Sequence, residues 1–127
     1  MNKHSWAALA VAAMAAVVLA GCSKSPETVV EKFYRAVGAG ETAQAREYMS
    51  RQVVDLLGET KVSAGIQAET ESIKRCGGIH QVTSQLLGDE QERHGTTTVS
   101  YDGNCPTRTE KTKLVQEHGD WKLTLAK

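Results

Sequence analysis

The feature that most constrains the fold is a change of pattern near residue 76. Between residues 26 and 75, apolar residues recur at spacings of three and four, which is typical of helices. From Ile79 onwards, Thr, Val and Gln become frequent, apolar and polar residues alternate, and turn signals recur, which is typical of antiparallel strands. Helices followed by an antiparallel meander predict an α+β domain, with the helices covering one face of a curved four-stranded sheet.

The first predicted helix carries the clearest boundary signals. Ser25 is a candidate N-cap, Pro26 suits the first helical position, and Gly38-Ala39-Gly40 ends the helix. Further helices are predicted over 42–49, 51–57 and 61–75. Strands are predicted over 79–87, 91–101 and 109–117, and a last one contains Trp121, Leu123 and Leu125. His118-Gly119-Asp120 predicts the turn that leads into this last strand.

The N-terminus has the pattern of a secretory signal peptide. Lys3 and His4 precede an apolar run that begins at Trp6 and is shorter than the roughly 20 residues of a membrane-spanning helix. The run ends in Leu19-Ala20-Gly21-Cys22, which resembles the lipobox of bacterial lipoproteins. That resemblance implies that Cys22 is acylated on its sulfur and becomes the first residue of the mature chain. An uncleaved membrane anchor and a signal peptide without lipid are the alternatives.

The lipobox divides the chain into a leader over 1–21, a lipidated tether over 22–25 and a single α+β domain over 26–127. A diacylglyceryl group supplies two acyl chains, which are enough for stable membrane attachment. The expected partner is therefore the lipid membrane of the cell envelope. Ser23, where inner-membrane lipoproteins tend to have Asp, favours the outer membrane, facing the periplasm, if the source is Gram-negative.

Charge and composition exclude some classes of function. The chain has 15 basic and 15 acidic side chains, and the leader removes only Lys3. No basic patch or charge block is present, and both nucleic-acid binding and electrostatic docking on anionic lipid need clustered Lys and Arg. The sequence therefore predicts neither of these partners.

Cys76 and Cys105 are the two cysteines left after lipidation of Cys22. An exported chain meets an oxidising compartment, where disulfides persist, and two thiols allow only one pairing. In the chain-entropy model this disulfide would stabilise the domain by roughly 3.5 kcal/mol. A metal site and a reactive thiol are the alternatives. Cys76 and His80 have C-x3-H spacing, but no second close ligand and no C-x-x-C motif accompany them, so no metal and no cofactor are predicted.

The whole domain resembles a known superfamily. The segments that carry the resemblance are 25–34, Gly40-Glu41, Tyr48-Met49-Ser50 and the last hairpin with Gly119-Asp120-Trp121-Lys122-Leu123. They are similar to small bacterial lipoproteins of an uncharacterised domain family within the nuclear transport factor 2-like superfamily. The resemblance implies a cone-shaped fold. Members of the superfamily include ketosteroid isomerases, polyketide cyclases, dehydratases and many non-catalytic binding domains, so the fold alone does not decide the activity.

Four residues are weak candidates for a site inside the cone: Asp55, Tyr34, Tyr48 and Tyr101. Asp55 lies among apolar neighbours, where desolvation would raise its pKa toward that of a general base, although a place on the solvent face of a short helix is the simpler interpretation. The tyrosines are more often core residues than catalytic ones. His80, His94 and His118 have no partner at a suggestive spacing, so no catalytic residue is predicted.

The leading hypothesis is therefore a non-catalytic envelope lipoprotein. Its domain would bind a protein partner or a small apolar ligand in the concave face, or serve a structural role at the membrane. An enzyme of the isomerase or dehydratase type is the rival, and two or more converging ionisable groups in the cone would favour it. An accessory subunit of an envelope assembly is a third hypothesis, which a large exposed apolar patch on the sheet would favour.

Overall fold

The computed structural model describes residues 24–126. The predicted leader and Cys22 lie outside the described residues. Within them, four helices precede four strands: α1 (Pro26–Gly38), α2 (Thr42–Glu47), α3 (Arg51–Leu57), α4 (Glu59–Arg75), β1 (Ile79–Gly88), β2 (Glu92–Tyr101), β3 (Arg108–Glu117) and β4 (Asp120–Thr124). The α+β fold class predicted from the sequence is confirmed.

The strands form one antiparallel sheet in the order β1-β2-β3-β4, and α1 packs across its inner face against β1 and β4. Both outer strands have part of their free edge covered. The Arg35 guanidinium donates to the carbonyl oxygens of Ile79 and His80, at 3.2 and 3.1 Å. Met49 forms a parallel bridge with Leu123. These contacts reduce the unpaired backbone that an edge strand offers to other chains.

The end of α2 differs from its prediction. The helix stops at Glu47 instead of residue 49, because the next residues pair with β4. The Leu123 N–H donates to the Tyr48 carbonyl oxygen at 2.8 Å, and the Ser50 N–H donates to the Leu123 carbonyl oxygen at 2.7 Å. Leu125 likewise lies beyond β4, and 48% of its surface is exposed.

Two apolar clusters form the core. One joins α1, α2 and α4 through Ala36, Val37, Ala45, Val62, Ile66 and Ile73. The other joins α1 to the sheet through Val29, Val30 and Leu114, with Trp121 and Leu123 packed against them. The helices therefore have a core of their own, and α1 links it to the sheet.

Cys76 and Cys105 form a disulfide with Cα atoms 5.3 Å apart. Cys76 caps the C-terminus of α4, and Cys105 lies in the loop between β2 and β3. Beside the bond, the Gly103 N–H donates to the Cys76 carbonyl oxygen at 2.9 Å. The disulfide thus attaches the end of the helical half to the sheet.

Ser50 connects α3 to β4 and supports the first testable prediction. It is fully buried, its hydroxyl accepts the Val53 N–H at 3.3 Å, and the same hydroxyl donates to the Thr124 hydroxyl at 3.1 Å. Ser50→Ala is expected to lower the free energy of unfolding by about 1–2 kcal/mol, because it removes a helix cap and leaves a buried partner unpaired.

Urea unfolding measures this loss, with Ser25→Ala as the matched control. The Ser25 hydroxyl caps α1 by accepting the Thr28 N–H at 3.2 Å, but it is exposed. Water can replace this hydrogen bond, so Ser25→Ala is expected to lower the free energy of unfolding by only about 0.5–1 kcal/mol. Equal losses for the two variants would show that burial does not add to the effect.

Candidate functional site

Ionisable side chains converge on the inner face where β3 begins. Along β3, Leu114 points into the core, and the alternation of a strand places Thr112, Glu110 and Arg108 on the same side. Tyr34 approaches from α1, Glu69 from α4 and Tyr101 from the end of β2. We call Tyr34, Glu69, Tyr101, Arg108 and Glu110 the Arg108 cluster.

Arg108 is held between two carboxylates. Its Nη2 donates to Glu69 Oε1, and its Nε lies 2.9 Å from Glu110 Oε1. The Nε is buried and not aligned with that oxygen, so this second contact is an ion pair without a well-formed hydrogen bond. Partial burial alone would lower the pKa of Arg108, but the hydrogen bond and charge of Glu69 outweigh it and raise the pKa. Arg108 therefore stays charged and pairs with both carboxylates, which leaves the three side chains with a formal net charge of −1.

Tyr34 supplies a hydroxyl at the edge of this cluster. Burial raises the pKa of Tyr34 to about 12, and the negative charge of Glu110 adds to the effect while Arg108 opposes it. Among residues 24–126, no group is hydrogen-bonded to this hydroxyl. At neutral pH, Tyr34 is consequently a protonated phenol that can donate a hydrogen bond to a ligand.

A chain of hydroxyl groups continues from the cluster across the sheet. The Ser84 and Thr97 oxygens are 2.9 Å apart, and those of Thr97 and Thr112 are 2.7 Å apart. Thr97 and Thr112 are buried, and Glu110 stands opposite Thr97 in the strand register. The centre of the concave face is therefore polar, although apolar side chains surround it.

A half-open, mostly apolar pocket of about 170 Å³, which we call the apolar cavity, adjoins this polar centre. It opens where β4 ends at Thr124, which leaves the first half of β3 without a strand on that side. The Tyr34 ring and Thr112 contribute to its wall. Its apolar residues also include Phe33, Met49, Val53, Leu123 and Leu125, and β3 adds two cations, Lys111 and Lys113. The Tyr34 and Phe33 rings pack edge to face, with centroids 5.5 Å apart.

The structure separates the four candidates predicted from the sequence. Tyr34 and Tyr101 come together in the Arg108 cluster. Tyr48 is half-buried near Lys24, with Lys24 Nζ 5.6 Å from its ring centroid. Asp55 is exposed on α3, because it lies two residues, and hence about 200° of helix rotation, from the buried Val53.

Histidines do not contribute to the cluster. His80 and Asp102 pair at 3.0 Å on the surface, a contact that their separation of 22 residues did not suggest. His94 is exposed on β2, and His118 occupies the β3–β4 turn with a φ of 52°. Among residues 24–126, no three His, Cys, Asp or Glu side chains are grouped so as to hold a metal ion.

Sequence reasoning missed Glu69, Arg108 and Glu110. Strand alternation from Leu114 would have placed Glu110 and Arg108 on the inner face, and Glu69 follows the buried Ile66 by three residues on α4. The periodicity therefore indicated an inward position for these three residues. They were not predicted as site residues because charged side chains in strands and helices usually face solvent.

The raised pKa of Tyr34 predicts a pH dependence of stability. An unfolded tyrosine ionises near pH 10, whereas Tyr34 in the folded protein ionises at about 12, so unfolding releases a proton between these values. Stability from this group is fully present below pH 10 and is lost as the pH rises toward 12, by roughly 2–3 kcal/mol.

Phenolate absorbance of the wild type minus that of Tyr34→Phe measures the Tyr34 titration directly. The difference curve should have its midpoint near pH 12. The difference in unfolding free energy between the two proteins should shrink over the same range. A midpoint near pH 10, the ordinary pKa of tyrosine, would contradict the burial of Tyr34 beside the negative charge of Glu110.

The outer face of the sheet is mostly polar. In the described strands, Leu87 is the one large apolar side chain with high exposure, and Leu56, Leu57 and Leu125 are exposed elsewhere. The exposed side chains of the described strands therefore do not form the extended apolar patch that would favour an accessory subunit. Within residues 24–126, no helix has the length and apolar character needed to cross a membrane.

Comparison with known proteins supports the fold. The sequence matches no protein-family model and no curated protein. Among solved structures, it is similar to a protein from Campylobacter jejuni named as an NTF2-like transpeptidase, with a TM-score of 0.69 and 14% sequence identity. The match covers 81% of this chain and 100% of the other. At that identity the likeness concerns the fold alone, and the fold is nuclear transport factor 2-like.

Proposed function

We propose that this protein is an exported lipoprotein, anchored through acylated Cys22, whose domain binds a small apolar ligand without catalysing a reaction. The observation that carries the binding function is the mostly apolar cavity beside a polar centre in which Arg108 is paired with Glu69 and Glu110. The anchor is supported by the apolar leader and its Leu-Ala-Gly-Cys ending. The disulfide is consistent with an oxidising compartment.

The anchor places the domain close to a membrane of the cell envelope. Only residues 23–25 separate the acylated Cys22 from α1. In a Gram-negative cell, Ser23 directs the protein to the outer membrane, where the domain faces the periplasm. Labelling cells with a palmitate analogue tests this proposal. Wild type and Ser23→Ala should both carry the label and Cys22→Ala should lose it, whereas label that persists in Cys22→Ala would overturn the lipid anchor.

The ligand's chemistry follows from the cavity wall. A volume of about 170 Å³ is large enough for one aromatic ring or a short alkyl group, since an enclosed apolar cavity of about 150 Å³ takes up benzene. This cavity is half-open and is also lined by Lys111 and Lys113, so a ligand bound there keeps contact with water. The Tyr34 hydroxyl adds one hydrogen-bond donor at the edge. The favoured ligand is thus a small apolar molecule with one acceptor oxygen.

Binding is tested by NMR titration of the mature chain with Cys22→Ser, using indole and p-cresol as probes. Amide shifts should concentrate at Phe33, Val53 and Leu123. Leu125→Asp should weaken binding of these uncharged probes, because it removes an apolar side chain from the cavity wall and adds a hydrated carboxylate. Leu87→Asp is the matched control, since Leu87 is also an exposed leucine outside the core and does not line the cavity. Shifts scattered over the surface, or equal losses in both variants, would overturn the cavity as the site.

An acid–base enzyme is the second candidate, because Tyr34, Glu69, Arg108 and Glu110 converge on the concave face. In such an enzyme Glu110 would accept a proton α to a carbonyl, and Tyr34 would donate a hydrogen bond to the carbonyl oxygen. Deuterium exchange of cyclohexanone in heavy water measures this activity. Exchange that requires Glu110 and is lost in Glu110→Gln would favour the enzyme. Exchange at the uncatalysed rate would favour the binding protein.

A further inference from the structure

A second pocket lies at the end of the domain where the chain leaves for Cys22. It has a volume of about 180 Å³ and is lined by Lys24, Glu47, Tyr48, Asp120, Trp121 and Lys122. We call it the anchor-side pocket. It is separate from the apolar cavity, with which it shares no lining residue.

The covalent chain holds this pocket near the anchor. Cys22 is two residues before Lys24, and an extended chain spans at most about 3.6 Å per residue, so the two Cα atoms are within about 7 Å of each other. If Cys22 carries a diacylglyceryl group, as proposed above, its sulfur lies at the membrane interface. The anchor-side pocket then opens within reach of the phospholipid headgroups.

The pocket's charges are available to a ligand. Two cations, Lys24 and Lys122, and two anions, Glu47 and Asp120, line it, yet none of the four forms an ion pair with another described residue. The Lys122 ammonium donates only to the Glu47 backbone oxygen in this region. Balanced but unpaired charges of both signs suit a zwitterion better than an anion or a cation.

Aromatic side chains complete the pocket. Tyr48 and Trp121 are half-buried, and each has a cation near its ring: Lys24 over Tyr48 and Arg93 over Trp121, both at 5.6 Å. Amphipathic aromatic rings are favoured at the level of the headgroups, where one part of the ring is apolar and another is wet.

We infer that the anchor-side pocket binds the headgroup of phosphatidylethanolamine in the membrane that holds the lipid anchor. Lys24 and Lys122 would bind the phosphate, and Glu47 and Asp120 would accept hydrogen bonds from the primary ammonium group. The quaternary ammonium of phosphatidylcholine is attracted by the carboxylates but has no N–H to donate, and phosphatidylglycerol has no cation. Neither headgroup therefore gives Glu47 and Asp120 the charged hydrogen bonds that a primary ammonium group supplies. Binding also orients the domain, with the β3–β4 turn toward the bilayer.

Trp121 reports on this site, because it is the only tryptophan outside the leader. The acylated protein is purified from membranes, checked by intact mass, and reconstituted in phosphatidylcholine vesicles, alone or with added phosphatidylethanolamine or phosphatidylglycerol. Quenching of Trp121 fluorescence by aqueous acrylamide should be weakest in the vesicles that contain phosphatidylethanolamine. Glu47→Gln/Asp120→Asn should lose that difference.

Glu71→Gln/Glu90→Gln makes the same change of net charge at exposed sites outside the pocket and should retain the protection by phosphatidylethanolamine. Equal quenching in the three kinds of vesicle, with the acyl group present by mass, would overturn the headgroup site and leave the anchor intact. A mature protein without the acyl mass would overturn the anchor itself, and this inference with it.

Discussion

Removing the Cys76–Cys105 disulfide is expected to lower the free energy of unfolding by about 3.5 kcal/mol, which is a large part of the stability of a small domain. The bond closes a loop with a sequence separation of 29 residues. In the chain-entropy model, opening that loop restores conformational freedom to the unfolded chain. Folded contacts nearby, such as the Gly103 N–H to Cys76 carbonyl hydrogen bond, do not need the sulfur atoms.

Two independent ways of removing the bond should agree. Cys76→Ala/Cys105→Ala and the reduced wild type are compared with the oxidised wild type by urea unfolding. Both should unfold at a lower urea concentration. If the double variant loses stability and the reduced wild type does not, the loss comes from the changed side-chain packing and not from opening the loop. No loss in either form would contradict the role of loop closure.

Gly95→Ala is expected to destabilise the domain by about 3 kcal/mol or to prevent folding. Gly95 lies in the middle of β2, where β1 passes so close that an added Cβ would be 1.9 Å from the Gln85 carbonyl oxygen and 3.2 Å from the Leu86 Cα. Both neighbours are backbone atoms of the paired strand, so they cannot move aside without breaking the β1–β2 register. A glycine at such a point permits the close approach of strands in a bent sheet.

Gly65→Ala is the matched control, and it is expected to raise the stability of the domain instead of lowering it. Gly65 lies inside α4, and an added Cβ there meets nothing within 4 Å. Alanine should therefore stabilise the helix by about 0.5–1 kcal/mol. Thermal unfolding of both variants measures the contrast. A Gly95→Ala protein as stable as the wild type would show that β1 and β2 are not in close contact at this position.

Local patterns predicted much of the fold and part of the site. Ser25 and Ser50 cap their helices as expected, and His118-Gly119 forms the turn between β3 and β4, with positive φ at both residues. Helix caps and turns depend on residues that are close in the sequence, because local hydrogen bonds and steric limits of the backbone determine where they form. Tyr34 and Tyr101 were singled out for their chemistry, but their neighbours in the cluster were not.

The sequence by itself determined the order of helices and strands, because that order depends on local periodicity. It also predicted the Cys76–Cys105 pairing, but only through the expectation that Cys22 is lipidated. Only the tertiary structure decided that Arg108 meets Glu69, 39 residues away, and that Lys24 lies beside the β3–β4 turn. Such contacts depend on how α1 and α4 pack across the sheet. Burial and neighbouring charges that result from this packing change the acid–base properties of side chains, as the raised pKa of Tyr34 shows.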